Sequence, residues 1–136
     1  LIEDNTSYYA TIYDSVSGCE SITRIEVVPN LIPCQVIIYN ALSLNDNGIN
    51  DYMVIENVEY FTDNRLEIYN RDGHLLFSQN QYGVADNLFR GFANVSGIYD
   101  KNKKLPTGSY LYIFKYYNYF EQKQITLKGF LTINSN

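Results

Sequence analysis

Residues 109–117 read Ser-Tyr-Leu-Tyr-Ile-Phe-Lys-Tyr-Tyr, so that Tyr110, Tyr112, Phe114 and Tyr116 alternate strictly with Leu111, Ile113 and Lys115. A period of two over such a length is a strand pattern, because successive strand side chains point to opposite faces. Similar short runs of β-branched and aromatic residues occur at 35–40, 52–58, 65–70, 74–78 and 124–134, with Asn, Asp, Gly or Pro between them. Asp72-Gly73, between two such runs, is a hairpin signal because both residue types tolerate positive φ. No segment carries a helical period and no internal repeat is present. The pattern predicts an all-β fold, an immunoglobulin-like antiparallel β-sandwich of about seven strands. The 14 Tyr and 7 Phe agree with this, since aromatic residues suit half-buried pleated surfaces.

The sandwich is expected over residues 36–136. Ahead of it, 7–14 and 22–28 read as two strands around the turn Ser15-Val16-Ser17-Gly18, a β-hairpin within residues 1–29. A lone hairpin is marginal in water, so it is expected to belong to a larger unit. Residues 30–35 read as a linker, stiffened by Pro29 and Pro33 on either side of Leu31. The chain begins at Leu1 without an apolar leader, which is expected of a piece cut from a longer protein.

Charge is unevenly spread. Residues 1–64 hold ten carboxylates and one cation, Arg24, whereas 65–136 hold five carboxylates and nine cations. With the cations scattered and the whole chain acidic, nucleic-acid binding is not expected. The two cysteines, Cys19 and Cys34, have no CxxC spacing, so a zinc or redox site is not expected either. Sequence alone leaves open whether Cys19 pairs with Cys34, with a cysteine upstream of this chain, or with neither.

The segment Asn40-Ala41-Leu42-Ser43-Leu44-Asn45-Asp46-Asn47-Gly48-Ile49-Asn50-Asp51-Tyr52 is an Asn/Asp/Gly-dense turn between apolar runs. Three further segments follow it in order: Leu66-Glu67-Ile68-Tyr69-Asn70-Arg71-Asp72-Gly73, Leu105-Pro106-Thr107-Gly108-Ser109-Tyr110, and Lys128-Gly129-Phe130-Leu131-Thr132-Ile133. Together they resemble the type B C-terminal sorting domain of the Bacteroidetes type IX secretion system, also called the gliding-motility-associated C-terminal domain. The resemblance covers residues 34–136. Leu44 stands where that family has proline, Asp46 where it has glycine, Asn47 where it has aspartate, and Phe89-Arg90-Gly91 where it has Trp-(Asp/Asn)-Gly. The hairpin at 1–28 is similar to the last strands of immunoglobulin-like repeats in large surface adhesins.

The resemblance implies a transport role. The domain would be the C-terminal signal of an SprB-like gliding adhesin, exported across the outer membrane to the cell surface or the medium. Its partners would be an outer-membrane β-barrel of the PorP/SprF type and the type IX translocon, with no small-molecule substrate and a monomeric isolated domain. The motif residues expected to meet the partner are Asn45, Gly48, Asn50, Asp51, Asn70, Arg71, Gly73, Pro106, Gly108, Tyr110, Lys128, Gly129 and Phe130. The last run is placed at a sheet edge open to strand addition, with 128–136 as the contact segment.

Other chemistry is weaker. Asn45, Asp46, Asn47 and Asp51, with Ser43, offer oxygens to a calcium ion; the competing reading is a turn held by its own Asx hydrogen bonds, with no cofactor. Asp51 and Arg71 are a candidate ion pair. His74 is the sole histidine and stands at a hairpin exit, so no triad or dyad is expected and the chain is not read as an enzyme. Tyr110, Tyr112, Phe114 and Tyr116 are expected as a semi-exposed ladder, with Leu111 and Ile113 on the core side. With the 79–104 excursion, that stripe supports an alternative reading as a carbohydrate- or surface-binding module.

Overall fold

The computed structural model describes residues 8–27 and 35–135. The chain divides into two compact units, Leu1–Pro33 and Cys34–Asn136. In the first, β1 (Tyr8–Ala10) pairs antiparallel with β2 (Ile25–Val27), Tyr8 opposite Val27. An isolated bridge between Tyr13 and Glu20 extends the hairpin. Its turn is held by Asp14, whose carboxylate accepts hydrogen bonds from the Ser17 hydroxyl at 2.6 Å and the Val16 amide at 3.0 Å. The same two donors, Ser17 first, hold the Asp14 carboxyl below its ordinary pKa. Cys34 lies outside the described residues, and with it the Cys19–Cys34 pairing.

The second unit is an all-β, immunoglobulin-like sandwich of seven strands: β3 (Ile37–Ile38), β4 (Ala41–Ser43), β5 (Ile55–Glu56), β6 (Asn64–Tyr69), β7 (Leu75–Asn80), β8 (Gly108–Asn118) and β9 (Lys123–Asn134). One layer is a five-stranded sheet of order β4-β9-β8-β6-β7, and the other contains the short β3-β5 pair. The long β8–β9 hairpin is antiparallel throughout, from Gly108 opposite Ile133 to Asn118 opposite Lys123. One pair departs from the antiparallel expectation: β4 and β9 run parallel, Leu42 beside Ile133. Parallel neighbours cannot be joined by a tight turn, and here nearly the whole unit separates them.

The core lies between the inner face of the large sheet and a second layer that is mostly irregular. Leu66, Ile68, Phe114, Leu131 and Ile133 from the sheet meet Met53, Phe61, Tyr82, Phe89 and Leu105 from the opposite layer. The excursion between β7 and β8 is thus laid over the sheet as packing material. Ring pairs Phe61–Tyr116 and Phe77–Phe89, each with centroids 4.8 Å apart, join the layers. Such pairs contribute about 0.5–1.5 kcal/mol beyond area burial.

The β8 alternation is present, but its faces are reversed from the expectation. Tyr110, Phe114 and Tyr116 are buried, with Tyr112 packed against the same core, while Leu111 and Ile113 lie half-buried on the opposite face. Both faces of this strand are apolar, so periodicity fixes the alternation and leaves the side undecided. The wide gap bridged by the irregular layer takes the larger rings.

The end of β9 is not an edge. Thr132 and Ile133 lie between β4 and β8, and Asn134 pairs with β4. The Thr132 amide donates to the Asn40 carbonyl at 2.8 Å, and the Leu44 amide donates to the Asn134 carbonyl at 2.8 Å. The Ser135 amide donates to the Thr107 hydroxyl at 3.0 Å. Peeling this end would break ladders on two sides, contrary to the expectation of a freely presented terminus.

Candidate functional site

The 45–51 loop is built by its own side chains. The Asp51 carboxylate accepts the Asp46 amide at 2.8 Å and the Gly48 amide at 2.6 Å. Asn45 Oδ1 accepts the Asn47 amide at 3.3 Å, and Asn47 Oδ1 accepts the Ile49 amide at 2.8 Å. Asp46, Gly48 and Asn50 all take positive φ, at 57°, 84° and 55°. Asp, Gly and Asn are the residue types that tolerate this region, so Asp46 adopts without a glycine the conformation a glycine would.

The loop already has a cation. Lys104 Nζ reaches both Asp46 carboxylate oxygens, at 2.8 and 2.7 Å, and the Leu44 carbonyl at 3.0 Å. Asp46 is thereby engaged by an ammonium and Asp51 by backbone amides. No group of three or more His, Cys, Asp or Glu suited to a metal occurs among the described residues. The expected Asp51–Arg71 pair does not form: Asp51 turns inward to its own loop, and Arg71 is exposed on the β6–β7 turn.

Asn70 is buried and organises that turn, its Oδ1 accepting the amides of Asp72 at 3.0 Å and His74 at 2.9 Å. Gly73 supplies a φ of 82°. His74 is exposed, with Nδ1 3.4 Å from the Asn70 side-chain nitrogen. Leu105 is fully buried, and the Tyr110 hydroxyl donates back to the Pro106 carbonyl at 2.8 Å, pinning the entry to β8. Burial, with a smaller contribution from Tyr99, pushes the Tyr110 phenol up to about 12. Gly129 lies opposite Tyr112, and a Cβ there would come within 2.7 Å of the tyrosine oxygen. The ring fills the space the glycine leaves.

Three of the four motifs meet in space. Arg71, Ser109, Tyr110 and Phe130 line a cleft of about 290 Å³, and Asn70, Arg71, Pro106, Gly108 and Tyr110 line a neighbouring one of about 340 Å³. The 45–51 loop is joined to the third motif through Lys104, the residue before Leu105. Asn50 and Gly48 stay exposed on the loop.

Four residues that sequence reasoning missed hold the scaffold. Asn64 is buried; its amide donates to the Phe61 carbonyl at 2.8 Å and the Tyr82 carbonyl at 3.1 Å, and its oxygen accepts the Tyr82 amide at 2.7 Å. The Tyr82 hydroxyl donates to the Met53 carbonyl at 2.5 Å and accepts the Phe89 amide at 3.0 Å. Burial raises its pKa. Asn94 pairs with both backbone groups of Ser78, accepting its amide and donating to its carbonyl at 2.9 Å each. Lys104 is the fourth. None stands in a local motif; each is recognised only by a partner distant in sequence.

The outward face of the large sheet has apolar relief. A groove of about 600 Å³ is lined by Tyr69, Gly73, Leu111, Tyr112, Ile113, Lys128, Gly129 and Phe130. Phe130 is 68% exposed, high for so large an apolar side chain. On β6, β8 and β9 this face carries Arg65, Lys115 and Lys128 against Glu67, three cations to one carboxylate, or +2. Arg65 Nε lies 2.9 Å from Glu67 Oε1.

Hydrogen-bonded turns, a closed core and an apolar outward sheet face define the class: a β-sandwich module with its motif residues gathered at the surface. Residues 36–133 match the family model of the CHU_C Type IX secretion signal domain, and the chain belongs to that family. It is a secretion-signal family and not a catalytic one, and it implies export across the outer membrane with engagement of the secretion machinery. Comparison with curated proteins finds no match. Comparison with solved structures finds none either.

Proposed function

We propose that this domain is the sorting signal of a cell-surface adhesin of the gliding type, delivered to the type IX translocon by an outer-membrane β-barrel of the PorP/SprF kind. The observation that carries the reading is the family match over 36–133. The meeting of Arg71, Pro106, Gly108, Tyr110 and Phe130 around two adjoining clefts supports it, because motif residues from distant segments then share one surface. The hairpin of the first unit suits an adhesin repeat as passenger.

The 45–51 loop serves in this reading as a rigid support, held by Asp51 and Lys104 without a cofactor. The barrel partner is tested by co-purification from membranes. The tagged 136-residue chain is expected to retain a β-barrel protein when expressed in a host with a type IX apparatus. Recovery of translocon components without any barrel would contradict the delivery step.

A further inference from the structure

The two edges of the large sheet are protected differently. On β7, Asn94 occupies the amide and carbonyl of Ser78, and the amides of Asn94 and Val95 both donate to the Leu76 carbonyl, at 3.0 and 3.1 Å. That edge is closed to a further strand. On β9, β4 covers only Thr132 to Asn134, while β8 pairs along the whole hairpin.

Thr132 directs its amide toward β4, and backbone groups alternate sides along a strand. The amides and carbonyls of Gln124, Thr126, Lys128 and Phe130 therefore point away from β8. They meet no other strand among the described residues, and all four residues are exposed. Four donors and four acceptors stand in a row about 20 Å long, taking about 3.3 Å per residue.

We propose that this edge, residues 124–130, accepts an added β-strand from a partner protein, an extended segment alternating apolar and acidic residues. The backbone row specifies the occupant's conformation, because only an extended polypeptide satisfies such a ladder. The two faces beside that edge specify its side chains. On the outward face Lys128, with Lys115 of β8, attracts carboxylates, and on the other face the half-buried Ile125 and Leu127 at the core margin receive apolar groups.

A second copy of this chain fits less well. Antiparallel pairing of 124–130 with itself brings the two Lys128 side chains onto one face near each other, and an edge lysine is a recognised guard against such association. The proposal names how the sorting signal is read and rests on that reading for the partner's identity, not for the binding chemistry.

The test uses the 136-residue chain, isotopically labelled, and a short synthetic peptide alternating glutamate with isoleucine. Amide exchange is followed by NMR, with no export step, so its outcome is separate from that of the sorting reading. The free chain is expected to exchange rapidly at Thr126, Lys128 and Phe130 and slowly at Leu127 and Gly129. Peptide is expected to slow the first group by about tenfold or more, as ladder formation does.

Replacing glutamate by lysine in the peptide is expected to abolish the slowing. Lys128→Glu is expected to weaken binding of the acidic peptide by about tenfold, a typical effect of reversing a charge at a contact. Thr126→Pro removes an outward amide, a position where edge strands tolerate proline, and is expected to block binding. The proposal is overturned if millimolar peptide leaves the three amides unchanged, if the lysine peptide protects them equally, or if they are already protected in a dimer of the free chain.

Discussion

Gly91 supplies the sharpest energetic test of the packing that supports the motif surface. Its φ is +81°, and a Cβ placed on it would lie 2.1 Å from Leu44 Cδ1 and 3.0 Å from Cδ2. Its carbonyl also accepts the Leu105 amide at 2.7 Å, so the backbone has little freedom to withdraw. Gly91→Ala therefore meets two penalties. An L-residue in the left-handed region costs about 1–2 kcal/mol. Overpacking a filled core costs about 1–3 kcal/mol. Their sum, about 2–5 kcal/mol, is a large share of the roughly 5–15 kcal/mol that stabilises a typical domain. Urea unfolding of wild type and variant, followed by circular dichroism, measures it.

Leu44→Ala separates the two terms. Alone it is expected to cost about 2–5 kcal/mol, as buried Leu→Ala changes do. Combined with Gly91→Ala it removes the collision but not the φ strain. The double variant should thus be more stable than additivity gives, by about 1–3 kcal/mol. A Gly91→Ala chain within about 0.5 kcal/mol of wild type, the scatter of neutral surface changes, would refute the contact, and so would strict additivity.

Other expectations follow from the same contacts. Tyr82→Phe leaves the Met53 carbonyl and Phe89 amide without a buried partner and should lower stability by about 1–3 kcal/mol in the same urea assay. Asp51→Ala removes the acceptor of two loop amides and should cost about 1–2 kcal/mol, less than a buried charged bond because the loop is open to water. If that loop needs no metal, a chelator should leave Tm unchanged; a Tm that falls with chelator and recovers with calcium would restore the cation reading. Tyr110 is neutral when protonated and its folded pKa is raised, so its contribution to stability is full below pH 10 and lost as pH climbs through about 12. A spectrophotometric titration that detects every tyrosine ionising near its ordinary value in the folded chain would contradict its burial.

Local chemistry was legible where it is written in adjacent residues. Asp72-Gly73 announced the β6–β7 hairpin, and the two-residue period of 109–117 announced β8. The Asn/Asp density of 45–51 predicts a turn bonded by its own side chains, and Asp51, Asn45 and Asn47 each accept loop amides. Long-range choices were not legible. Which face of β8 turns inward depends on the 79–104 excursion, whose Tyr82, Phe89 and Leu105 fill the far side of the core.

The neighbours of β9 depend on β4, roughly ninety residues earlier by the register of Leu42 with Ile133. That pairing moved the open edge from the chain end to residues 124–130. Lys104, the loop's partner, reaches Asp46 across 58 positions, and Asn94 reaches Ser78 across 16. Arg71 lost its expected partner because Asp51 was committed to amides three and five residues away.

The central claim is that this domain directs export, and a fusion tests it most directly. The 136-residue chain is attached to a fluorescent reporter bearing its own signal peptide and expressed in paired strains, one with an intact type IX apparatus and one without. Reporter on the surface or in the medium of the intact strain alone, with both strains holding equal amounts, is the expected result. Reporter kept in the periplasm of both, or released equally by both, would contradict a type IX sorting role for this chain.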